Sequence, residues 1–202
     1  MKTTFAVTFF GILMYAVDQV SPQTTKCEQY KTMETFNPSD FFMGSWFVTH
    51  AKRGSQSTTA CRTFITGLKK EIITFNGDGY YGDKEPATYY QVRCTGDKKR
   101  GRGGKFSLSC TRQQPSMPGT SPQNKIAFNM ELSIIDTDYG QYAIVQTCST
   151  YPSLGTTKDN VLVLHRNKDA LKSDIETIFK QKTGSSLATY ITRQKDTKCK
   201  VA

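Results

Sequence analysis

The sequence predicts an all-β fold, an eight-stranded antiparallel up-and-down barrel, followed by one α-helix near the C-terminus. Three observations lead there. Ile126, Phe128, Met130, Leu132 and Ile134 alternate with Ala127, Asn129, Glu131 and Ser133, a period of two with one apolar face. Seven further short segments, 45–50, 61–67, 70–75, 88–94, 105–111, 139–148 and 161–166, have strand-compatible composition with no helical pattern between them, which favours a closed meander over alternating strands and helices. Beyond Arg166 the period changes: Leu171, Ile175, Ile178 and Phe179 recur at helical spacing and Gly184 is a natural stop, so a helix is expected over 168–183.

Taken in order, the chain begins with Lys2 and an apolar run over 5–17 that only Thr8 and Gly11 interrupt. A membrane span needs roughly twenty apolar residues, and Asp18-Gln19 follow too soon for that. Residues 1–20 therefore read as a secretory signal peptide cut between about 18 and 22, and 21–202 as a single domain. Asn76-Gly-Asp-Gly79 reads as the turn after the third strand. In such a meander the loops 51–60, 76–87, 112–125 and 149–159 share one end, and loop 95–104 joins Thr137-Asp138-Tyr139 at the other.

The composition narrows the chemistry. All six cysteines lie beyond the leader, an even number that implies a disulfide framework, with fifteen pairings open from spacing alone. There is no Cys-x-x-Cys and there are only two histidines, so no metal site is expected. No nucleophile elbow or nucleotide-binding glycine loop occurs, and the carboxylates are scattered, so no enzyme is expected. Lysine and arginine total 27 against 17 acidic residues, a net charge of +10. Arg93, Lys98, Lys99, Arg100, Arg102, Lys105 and Arg112 crowd together with Asp97 alone opposing them. That run suits a polyanion, or it is simply a solvated hairpin tip. Loop 95–104 holds no aromatic residue to stack a base, so nucleic acid is not expected.

Three separated motifs carry a family resemblance. Gly44-Ser-Trp46 opens a strand, Thr137-Asp138-Tyr139 is a tight acidic turn, and Val161-Leu-Val-Leu-His-Arg166 is a strand ending in arginine. Their order and spacing resemble the signature regions of the lipocalins, in which the tryptophan plugs the closed end of the barrel and the arginine packs across its indole face. Val163-Leu-His-Arg-Asn-Lys-Asp169, Tyr142-Ala-Ile-Val-Gln-Thr-Cys148 and Lys195-Asp-Thr-Lys-Cys199 narrow this. They look like the salivary lipocalins of blood-feeding bugs, the triabin, pallidipin and nitrophorin group of the calycin superfamily.

The resemblance implies a helix packed outside the barrel and the pairs Cys27–Cys148, Cys61–Cys199 and Cys94–Cys110; the last pair suits neighbouring antiparallel strands. It implies secretion into saliva and a monomeric small-molecule binder. The nitrophorin haem is held by a histidine in a Lys-Glu-x-x-x-His context; here Lys70-Glu-Ile-Ile-Thr-Phe75 places Phe75 there, and phenylalanine cannot ligate iron, so no haem or other cofactor is expected. Candidate pocket residues are His50, Phe75, Tyr90, Phe128, Met130 and Val145, with Trp46, Val48 and His50 assigned to one face and Ala143, Val145 and Thr147 pointing inward. Two functions follow, beside a third reading as a carrier or salivary antigen with no anti-haemostatic action. One is sequestration of an anionic or lipid mediator, an eicosanoid or adenine nucleotide, with inhibition of platelet aggregation. The other is inhibition of coagulation or contact activation through Lys98, Lys99, Arg100, Arg102 and Lys105, acting on polyphosphate, an anionic surface or a protease.

Overall fold

The computed structural model describes residues 26–52, 60–81, 88–114, 125–169, 171–193 and 199. The leader expected over 1–20 lies outside them, as do Arg53, Asp83 and Glu85 of the expected mouth loops. A short helix α1 (Pro38–Phe41) precedes β1 (Gly44–Lys52), β2 (Arg62–Lys69), β3 (Ile72–Tyr81) and β4 (Thr88–Asp97). Then come β5 (Lys105–Gln113), β6 (Ile126–Thr137), β7 (Tyr142–Tyr151), β8 (Thr156–His165), α2 (Ile175–Thr183) and β9 (Tyr190–Thr192). Each strand from β1 to β8 pairs antiparallel with the next, and β8 pairs back onto β1, so the eight close into a barrel. The short β9 adds to β1 at His50–Lys52, where β1 has parted from β2.

Chain alternation and burial place one apolar cluster inside the barrel and another outside it. The inner cluster runs from Phe41, Phe42 and Trp46 through Phe64, Phe75 and Leu132 to Phe128 and Tyr151. The outer one packs Ile175 and Phe179 of α2, with Leu187 and Tyr190, onto Tyr142, Ile144, Val161 and Val163. Removing a side chain such as Phe179, 0% exposed, from water contributes about 1.5–3 kcal/mol.

Three expectations need correction. Asn76–Gly79 is not the turn after the third strand but the interior of β3, which runs on to Tyr81; the preceding β2–β3 hairpin turns at Lys70-Glu71, between the paired Lys69 and Ile72. Gly79 serves a close approach: a Cβ there would sit 2.1 Å from the Cys61 carbonyl oxygen. Strand β8 begins at Thr156, five residues ahead of the expected 161, because Gly155 in the left-handed region (φ 59°) lets the chain reverse within a few residues of Tyr151. Helix α2 begins at Ile175 rather than 168. The Asn167 side chain accepts from the Asp169 amide, and the Lys172 amide donates to His165 Nε2, so these groups are committed to a bend. Leu171, expected on the buried face, is 48% exposed.

The cysteines pair Cys27–Cys148, Cys61–Cys199 and Cys94–Cys110, the pairs the resemblance implies. The first pins the N-terminal strap to the outside of β7, and the second ties the C-terminal tail to the chain entering β2. The third joins directly opposed residues of β4 and β5, and both its cysteines belong to the inner cluster.

Candidate ligand site in the barrel

One end of the barrel is sealed from the sequence upward. Asn37 caps α1 by accepting from the Ser39 amide, and Pro38 fits the first helical turn. This single turn of helix delivers the Phe41 carbonyl to Trp46 Nε1, 3.1 Å away, and the Phe41 ring stacks on the indole at 5.3 Å. Arg166 lies with its guanidinium carbon 3.6 Å from the Trp46 ring. It donates to the carbonyls of Tyr139, Met43, Ser45, Asp40 and Phe41. One arginine thus satisfies carbonyls from α1, β1 and the β6–β7 turn. Within that turn the Thr137 hydroxyl donates to the Tyr142 carbonyl, and Asp138 accepts from the Gln141 and Tyr142 amides. Gly44 (φ 66°) sits under Arg166, which a Cβ there would meet at 3.8 Å.

Strand register decides what faces the interior above this plug. Val92 and Cys94 of β4, Leu108 and Cys110 of β5, Phe128 and Met130 of β6, and Val145 and Tyr151 of β7 all belong to the inner cluster. Tyr90 and Arg112 continue the inward parity of β4 and β5 toward the mouth. There the Arg112 guanidinium lies 4.9 Å from the Tyr90 ring and 5.0 Å from the Tyr151 ring. Tyr151 stacks in turn on Phe128 at 4.7 Å. Arg112 Nε is buried without a hydrogen-bond partner among the described residues. Arg62 takes the inward position nearest the mouth on β2, and Lys158 lies one inward position below Thr156 on β8. Among the described residues, no aspartate or glutamate occupies an inward position of β1–β8. The interior beneath the mouth is therefore cationic and aromatic, over an apolar floor.

Of the expected pocket residues, Tyr90, Phe128, Met130 and Val145 line this space, and Phe75 stacks on Phe64 at 4.4 Å deeper in the core. His50 does not join them. The β1–β8 register slips between Val48 and His50, so Val48 and Ala51 face inward while His50 pairs with Val163 of the outer cluster. A bulge at Thr49 is the cause, and strand parity alone could not have found it. His50 Nδ1 instead meets the Thr49 hydroxyl, which also contacts His165 Nδ1 at 2.8 Å.

The basic run divides into three groups. Arg112 is inside the barrel. Arg93 lies on the outer wall, held by both carboxylate oxygens of Asp78, beside a depression of about 470 Å³ that Ser109, Asn129 and Pro152 help to line. Lys98, Lys99, Arg100, Arg102 and Lys105 gather at the sealed end. Lys98 reaches Glu71 at 3.9 Å and Lys105 reaches Glu131 at 3.0 Å, while Lys99, Arg100 and Arg102 are exposed.

The fold has known relatives. The chain is 36% identical over 195 residues to triafestin-1 of Triatoma infestans, covering 96% of this chain and 91% of that one. It is 29% identical to the platelet inhibitor triplatin-2 of the same bug, covering 96% and 97% of the two chains. Among solved structures, a biogenic amine-binding protein superposes with a TM-score of 0.67 at 22% identity, over 87% of this chain and 91% of that one. The Triabin family profile matches residues 16–178, and the chain belongs to that family of lipocalin-fold proteins.

Proposed function

We propose that this protein is a secreted salivary lipocalin whose barrel captures a small anionic host mediator, an eicosanoid or adenine nucleotide, and so inhibits platelet aggregation. The observation that carries the reading is Arg112: a cation inside the barrel, flanked by Tyr90 and Tyr151, with no carboxylate at an inward strand position among the described residues. The half-buried guanidinium keeps an Nε without a hydrogen-bond partner among the described residues, and an anionic ligand would supply a charge-assisted one. Phe128 and Met130 supply apolar wall below, and the rings offer faces to a purine or an unsaturated chain. Cationic amines fit poorly, since an ammonium group would meet Arg112 in place of a carboxylate. A relative named as a platelet inhibitor supports the same direction. The test is calorimetric titration of the mature protein with ADP, a thromboxane mimetic and serotonin. Saturable binding of one of the two anions, lost in Arg112→Gln, supports the reading; tight serotonin binding with no anion binding overturns it.

A second reading places inhibition of coagulation or contact activation at the sealed end, where Lys99, Arg100 and Arg102 face solvent. Charge reversal there, leaving small-ligand affinity intact, should abolish any effect on clotting time if that surface acts.

A further inference from the structure

Among the described residues, five large apolar side chains stand out as exposed, and three of them share one region: Met43 (59%), Ile65 (51%) and Ile72 (48%). Strand register brings them together around Gly67. Ile65 pairs with Ser45 and Asn76 on the outer face of β2, and Ile72 pairs with Lys69 on β3. Met43 immediately precedes Gly44, which pairs with Thr66. Between them Thr74, paired with Gly67, lays its hydroxyl over the glycine, where it would stand 2.9 Å from a Cβ, so the exposed apolar side chains flank one small polar position. Ile65 and Lys69, the partner of Ile72, are four residues apart on β2, about 13 Å at strand rise, so the exposed apolar side chains stand along one outer face near the hairpin tip.

Cations border this patch. Lys69 and Lys70 are exposed at the hairpin tip, and the 3₁₀ turn Lys98–Arg100 lies alongside, since the Lys98 amide donates to the Glu71 carbonyl. The neighbouring carboxylates are already engaged: Glu71 pairs with Lys98, and Asp97 accepts from the Lys99 amide. A convex apolar tip ringed by lysine and arginine matches what a bilayer interface offers, an acyl boundary for the apolar side chains and anionic headgroups for the cations. A soluble polyanion would use the cations and leave Met43, Ile65 and Ile72 in water.

We propose that the sealed end of the barrel is a docking surface for anionic phospholipid bilayers. Docked this way, the protein holds its mouth away from the membrane, so mediator capture and surface attachment are compatible. The proposal rests on the sealed end alone, and its failure leaves the barrel reading untouched.

The experiment is co-sedimentation of the mature protein with vesicles of phosphatidylcholine alone and of phosphatidylcholine with about 25% phosphatidylserine, at physiological salt. Two variants accompany it, Met43→Ser/Ile65→Thr/Ile72→Thr and Lys69→Glu/Lys70→Glu/Arg100→Glu, with thermal melts to verify folding. Expected is binding to the phosphatidylserine vesicles only, weakened more than about tenfold in each variant. Polyphosphate binding should survive the apolar substitutions and fail in the charge-reversed variant. Absence of binding to phosphatidylserine vesicles overturns the proposal. So does binding that survives loss of the three apolar side chains, which would leave a site for soluble polyanions and favour the second reading.

Discussion

Arg112 lies with its guanidinium carbon 5.0 Å from the centre of the Tyr151 ring, inside the barrel and on the opposite face of the β-wall from Arg93. Burial pushes the Tyr151 phenol above its ordinary pKa while Arg112 opposes that shift, so the hydroxyl stays protonated at neutral pH. The pair therefore presents a fixed cation and a neutral donor to whatever enters.

Replacing Arg112 with glutamine should weaken an anionic ligand by about 10- to 100-fold, the loss of one charge-assisted hydrogen bond at about 1.5–3 kcal/mol. Folding stability should hold or improve slightly, since the variant removes a buried, unpartnered Nε. Titration calorimetry alongside thermal melts separates the two effects. Unchanged affinity would place the ligand elsewhere.

Arg166 carries the opposite expectation. Its donors reach five carbonyls and its plane covers Trp46, so Arg166→Met removes the shared donor of five carbonyls, two of them part-buried, and uncovers the indole face. The cost should be about 2–4 kcal/mol, seen as a fall in Tm of about 5–10 °C for a chain of this size. Ligand rank order should not change. A shifted preference with intact stability would contradict its sealing role.

Much of this architecture was legible in the residues. The alternation over 126–134 gave β6 and its inward face, and Trp46 with Arg166 gave the plug by resemblance. Three features were hidden for physical reasons. The Thr49 bulge that turns His50 outward leaves no mark in composition, because the slip is set by pairing with β8 and β9. Gly79 looks like a turn residue because glycine marks both turns and close chain approach, and only the neighbouring Cys61 carbonyl separates the two. Arg112 looked like part of one basic run, since sequence proximity conceals which face of a strand a cation takes. Asn37-Pro38, by contrast, was a readable cap for α1 that the strand pattern overshadowed.

The β2–β3 turn offers a stabilising substitution. Lys70 and Glu71 both have positive φ, 47° and 66°, in a two-residue hairpin where asparagine and glycine are at home. Lys70→Asn/Glu71→Gly should relieve left-handed strain of about 1–2 kcal/mol, against the small loss of the exposed Lys98–Glu71 contact. Chemical denaturation should show a higher midpoint with an unchanged slope; a lower midpoint would mean that the Lys98–Glu71 contact outweighs the strain.

The outward histidines make stability depend on acid. His165 is fully buried, and its Nε2 accepts from the Lys172 amide, so its proton sits on Nδ1 and is donated to Thr49 Oγ1. Burial is the main cause that lowers its pKa to about 4, His50 adds repulsion, and Asp138 partly offsets both. His50 is also held low by burial, against the pull of Glu176. A second proton on His165 would set Nε2–H against the Lys172 N–H. The native imidazole therefore stays neutral where the unfolded chain takes up a proton, near pH 6.5. Stability should thus fall as pH drops from about 6.5 toward about 4, and this contribution levels off below that. His165→Gln should be less stable at neutral pH but should lose less between those two values, the carboxylates being common to both proteins. Melts at half-unit pH steps measure the difference. Parallel curves for the two proteins would show that the histidines do not titrate in this window, and His50→Ala should meanwhile leave ligand affinity unchanged.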